Sequence, residues 1–115
     1  MNKLNISMLV LCLFTVLSTV TGQTKKAFIK EAEKAFAAQN YHGALVYYEE
    51  ALKFDPRDPD IVFKTAEAAR NYNAYGYALT KYQYLRDTIG HDIHPESGFR
   101  LAEMYQRLGR SDVAI

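Results

Sequence analysis

The 115 residues carry 14 Lys and Arg against 13 Asp and Glu, and 49% are hydrophobic and 13% aromatic. That composition excludes wholesale disorder, and its formal net charge of +1 lacks the basic excess of a general nucleic-acid binder. The single cysteine, Cys12, allows no internal disulfide.

In chain order, residues 1–22 have the three-part layout of a secretory signal. Lys3 makes a positive start, Met8 to Phe14 is an unbroken apolar run, and Val20-Thr21-Gly22 offers a small residue before Gln23. A membrane-spanning helix needs roughly 20 predominantly apolar residues, and Thr15, Ser18, Thr19 and Thr21 interrupt the run. Export with cleavage before Gln23 is therefore expected, with an uncleaved anchor as the rival. Leu11 before Cys12 does not suit a lipoprotein signal, which needs a small residue there.

Lys25 to Asn40 has helical periodicity, with Ala27, Phe28, Ala32, Ala35 and Phe36 as the apolar stripe and Lys26, Lys30, Glu31 and Lys34 on the wet face. Gln39-Asn40 breaks the stripe, so a second helix starts at Tyr41 and runs to Phe54, stopped by Asp55-Pro56. So short a connection forces the two helices antiparallel. Asp58 is a good N-cap, Pro59 suits the first helical position, and Asp60 complements the helix dipole of a third helix ending near Asn71. After a turn at Asn73-Ala74 a fourth helix is predicted from Tyr75 to about Asp87. A polar loop with Gly90 and Pro95 leads to a fifth, from Glu96 to Leu108, then a turn at Gly109 and the start of a partner helix at Val113–Ile115.

Small residues register these elements. Ala32, Ala66 and Ala102 lie in the first helix of each pair, Ala44, Ala78 and Ala114 in the second; both sets are spaced by 34 and then 36 residues. One two-residue insertion therefore falls between Leu85 and Ala102, with the stretch Gly90-His91-Asp92-Ile93-His94 the obvious place for it. Tyr41, Ala44, Tyr48 and Ala51 recur 34 residues later as Tyr75, Ala78, Tyr82 and Leu85, and the third unit shows Leu101, Ala102, Tyr105, Gly109 and Ala114. A helix–turn–helix period of 34 resembles the tetratricopeptide repeat. The likeness spans residues 25–115, and residues 23–115 form one repeat domain with units at about 25–58, 59–94 and an incomplete 95–115. Leu85 departs from the family's small residue, and Glu31 stands where an apolar one is common. The resemblance implies an all-α, right-handed superhelix of about two and a half repeats behind a signal peptide. An exported chain that begins this way also resembles the N-terminal part of bacterial envelope proteins in which such repeats precede a β-propeller and an OmpA-type peptidoglycan-binding domain.

No sequence motif for catalysis is present. Two histidines and one carboxylate at His91, Asp92 and His94 fall short of a metal-ligand set, and His42 has no acid or nucleophile partner in view. No glycine-rich phosphate loop or nucleophile elbow occurs. The nine tyrosines lack a basic channel and fall mostly on packing positions. The expectation is a non-enzyme that needs no cofactor or metal and binds a protein or peptide partner rather than nucleic acid. After cleavage it would have no membrane span and would work in the periplasm or at the outer membrane. The resemblance places the concave groove along Ile29, Glu33 and Phe36, then Phe63, Glu67, Arg70 and Asn71, then Phe99, Glu103, Gln106 and Arg107. Glu33, Glu67 and Glu103 form an acidic column suited to a basic or amine-bearing segment, unless Arg70 and Arg107 neutralise their own helices' glutamates. The alternative role is a structural spacer at the start of a larger OmpA-type anchor.

Overall fold

A computed structural model describes residues 24–109; the expected signal and the start of the last partner helix lie outside them. The described residues form helices joined by turns and short loops, with no strand among them. Helix α1 occupies 24–37, α2 Tyr41–Leu52, α3 Pro59–Asn71, α4 Tyr75–Tyr84 and α5 Glu96–Arg107. Among them, no helix is long and apolar enough to cross a membrane.

The 34-residue period is built into the backbone at the turns. Gln39 (φ 61°) ends α1 in the left-handed region, and Asn73 (φ 67°) does the same for α3. The next N–H in each case bonds back five residues, Asn40 to Ala35 O at 2.8 Å and Ala74 to Ala69 O at 2.9 Å, so the carbonyls left open at a helix end are satisfied. Gly109 (φ 73°) repeats the conformation 36 residues after Asn73, and its N–H reaches Gln106 O as that of Asn73 reaches Arg70 O. Asn40 then caps α2, its side chain accepting from Gly43 N at 3.0 Å.

Asp58 caps α3 as expected, accepting from Asp60 N at 3.1 Å and Ile61 N at 3.3 Å, with Pro59 in the first turn. Lys25 ties the start of α1 to this cap at 3.4 Å. The fourth helix departs from expectation. Its α-helical hydrogen bonding stops at Tyr84, and Leu85–Ile89 forms a π-helical turn closed by Gly90 N to Leu85 O. Six residues, 90–95, then remain before α5, as six, 53–58, separate α2 from α3, so the extra length lies in the wider-wound helix end rather than in Gly90–His94 as expected. Leu85 is fully buried there.

Each helix packs on the next in sequence, α2 on α3, α3 on α4 and α4 on α5. The contacts are made close by Ala32, Ala44, Ala66 and Ala78, all 0% exposed, with Tyr48 and Tyr82 filling the space between helix pairs. The first helices of the units differ on one face. Ile61, Thr65 and Ala68 of α3 are 3%, 0% and 0% exposed, and Ser97 and Met104 of α5 are both 0%. The corresponding residues of α1 are Ala27, Glu31 and Lys34, and all three are exposed. Ala27 thus leaves the expected apolar stripe, and Glu31 has its reason: no described helix lies on that side of α1.

Because Ala78 sits where two helix backbones nest, Ala78→Leu should overpack the contact and lower stability by about 1–3 kcal/mol. Lys81→Leu, on the rim beside Tyr77, should cost much less; equal losses in denaturant melts would contradict this packing.

Candidate functional site

The pairs Glu33–Lys64 and Glu67–Arg100 bring one side of α1, α3 and α5 together, and the sequence-predicted groove residues on these helices occupy different environments. Ile29 and Phe36 are half-buried against the core, and Phe36 meets the Tyr41 ring edge-on at 5.2 Å. Phe63 is not free: the His94 imidazole from the loop before α5 lies flat on it, 4.4 Å between ring centres and 4° from parallel. His94 Nε2 is 2.9 Å from Asp60 Oδ1 and its Nδ1 3.6 Å from Glu96 Oε1, which anchors the loop to the start of α3. Asn71 turns inward and donates to Glu67 O at 2.8 Å. Phe99 is 68% exposed, flanked by the Arg100 guanidinium. Gln106 and Arg107 are exposed.

The acidic column exists, but every member already has a cation. Glu33 pairs with Lys64 at 3.0 Å. Glu67 takes Arg70 at 2.8 Å and Arg100 Nε at 3.2 Å, an approach outside hydrogen-bond alignment, and it accepts a hydrogen bond from the Tyr82 hydroxyl. Glu103 lies 3.6 Å from Arg100 and 3.8 Å from Arg70. The expected Glu103–Arg107 pair does not form; Arg107 sits 5.9 Å from the Tyr75 ring centre instead. The missed cations were readable in register, since Lys30, Lys64 and Arg100 repeat at 34 and 36 residues, as the glutamates do.

This pairing sets the ionisation of the site. Burial opposes charge on Glu67, but the hydrogen bonds from Arg70 and Tyr82 and the charges of Arg70 and Arg100 outweigh it and hold the carboxyl below its ordinary value. Burial and the Glu67 bond push the Tyr82 phenol far up, and burial with the Glu33 charge pushes Tyr48 up to about 12. Near neutrality Glu67 is thus a fixed anion and both phenols are protonated. The arrangement suits holding a surface in shape rather than moving protons.

One pocket of about 200 Å³ opens on this face, lined by Phe36, Tyr48, Lys64 and Glu67. Tyr48 and Lys64 were not among the expected groove residues. Tyr48 was read as core filler, and it is 3% exposed yet presents part of itself to the pocket floor. Neither a family model nor a curated protein matches the sequence.

The Glu67 arrangement has a pH signature. A carboxyl whose folded pKa lies below its unfolded value near 4.5 stabilises the fold above that value and stops doing so as pH falls through the folded one. Glu67→Gln should therefore melt lower than the parent at pH 7, with the gap closing below about pH 4. Melting curves at stepped pH check this; a gap constant with pH would remove Glu67 from the account.

Proposed function

We propose that the chain is a tetratricopeptide-repeat scaffold of the bacterial cell envelope that binds a partner segment on the face of α1, α3 and α5 and carries out no reaction. The repeat assignment is supported by the left-handed turn residues Gln39, Asn73 and Gly109, which follow the 34- and 36-residue spacing of the small residues. Export rests on the layout of residues 1–22. The observation that carries binding is the pocket between Phe36 and Tyr48, an apolar recess on a face whose charges are internally matched. A volume of about 200 Å³ accepts one large apolar side chain. Because Glu33, Glu67 and Glu103 are already paired, an apolar anchor residue, rather than a basic run, supplies most of a partner's binding free energy.

A random peptide library selected on the protein should enrich segments with a shared aromatic or branched aliphatic residue. Phe36→Ala should weaken the selected peptides about tenfold or more, as expected for loss of an anchor contact; because the ring also packs on Tyr41 and the core the variant should melt lower, so affinities are compared below its melting range on material shown to be folded by circular dichroism. If nothing is enriched, or the enriched peptides ignore Phe36→Ala, the pocket is not the binding site.

A further inference from the structure

The two complete units hold the same tyrosine in different states. Tyr48 and Tyr82 stand 34 residues apart, and so do Glu33 and Glu67 on the helices before them. In the second unit the phenol is already bonded. The Tyr82 hydroxyl donates to Glu67, and Arg70, at the position of Phe36, holds the same carboxylate at 2.8 Å. In the first unit Glu33 turns to Lys64 at 3.0 Å instead, and among the described residues nothing hydrogen-bonds the Tyr48 hydroxyl. Nor is that hydroxyl sealed in. Tyr48 is only 3% exposed, yet the buried polar atoms without a partner are Arg70 Nε, Ser97 Oγ and Arg100 Nε. The open part of Tyr48 therefore includes its hydroxyl, and Tyr48 lines the recess of about 200 Å³ together with Phe36, Lys64 and Glu67.

The recess thus pairs apolar walls with an unmet donor. Burial and the Glu33 charge push the Tyr48 phenol up to about 12, so it keeps its proton near neutrality, and Glu67 is already taken by Arg70, Arg100 and Tyr82. A ligand that covered the hydroxyl without accepting from it would leave a buried donor unpaired. Among side chains, tyrosine combines a ring-sized apolar body with an acceptor oxygen at its tip. We infer that the pocket selects a phenol: a tyrosine of a different protein packs its ring on Phe36 and accepts a hydrogen bond from the Tyr48 hydroxyl. The inference rests on the pocket proposed above as the binding site and names its anchor residue. Residues 1–23 and 110–115 contain no tyrosine, so no undescribed part of this sequence supplies the ring. The chain's own exposed tyrosines, Tyr47, Tyr72 and Tyr77, lie against Phe28, His42 and Lys81.

The probes are p-cresol and toluene, the side chains of tyrosine and phenylalanine without a backbone. Titrated into isotope-labelled protein, both should shift the resonances of Phe36 and Tyr48, and p-cresol should bind about tenfold more tightly although toluene is the more hydrophobic. Tyr48→Phe removes a hydroxyl that makes no bond, so this variant should melt with the parent and favour toluene. Tyr82→Phe, which loses a bond to Glu67, should melt lower and keep the preference for p-cresol. If neither probe shifts these resonances, or folded Phe36→Ala binds both as the parent does, the pocket itself is not the binding site and the inference falls with it. If both probes bind there with equal affinity, or the preference survives Tyr48→Phe, the pocket stands and selection of a phenol is overturned. A dimer in sedimentation that p-cresol dissolves would also overturn the inference, since a second copy would then supply the ring.

Discussion

The fold rests on how closely two helix backbones approach at alanine. Ala32, Ala44, Ala66 and Ala78 have no exposed surface, and a side chain the size of alanine's sets the interhelical distance near the lower end of its range. Once that distance is fixed, the turn between helices has few solutions. The chain uses the same one in both complete hairpins, a single left-handed residue and a bond back over five. The large residues then follow: Tyr48 and Tyr82 fill the volume that small residues leave between successive pairs.

Charge plays a different part from packing. The Glu33–Lys64 pair is about half exposed, and such pairs contribute at most about 1 kcal/mol. Glu67, Arg70 and Arg100 are better shielded, and Glu67 also accepts from the Tyr82 hydroxyl, so their arrangement fixes orientation more firmly. This series of pairs thereby specifies which unit follows which, while the alanines and tyrosines supply the cohesion. It also converts what reads as an acidic groove into a neutral one.

Period and capping chemistry were legible in the sequence because they depend on single residues acting locally. Asp58-Pro59 is a strong helix start, and Gln39-Asn40 and Asn73-Ala74 stand where the apolar stripe breaks. The family-wide features, superhelix and export signal, remain proposals built on that register. Local reasoning failed where a residue's environment is set by a neighbour distant in sequence. Ala27 has the right polarity for a core but no helix to pack on. Glu103 finds Arg70 rather than its own helix's Arg107, since Arg70 already lies between the two carboxylates. His94 was read as loop and becomes the cover of Phe63. The two extra residues were legible as a length and were expected in Gly90–His94, but a length does not say that the winding will widen before that loop.

The exposed Glu31 and Lys34 on α1 also bear on how such a stack could associate. A stack with an adhesive surface at each end joins head to tail, and because such a joint does not close on itself it propagates into an open fibre. Burying Glu31 and Lys34 in such a joint would strip water from two charges. A side of α1 that keeps Glu31 and Lys34 in water is therefore a poor half of a head-to-tail joint between described stacks.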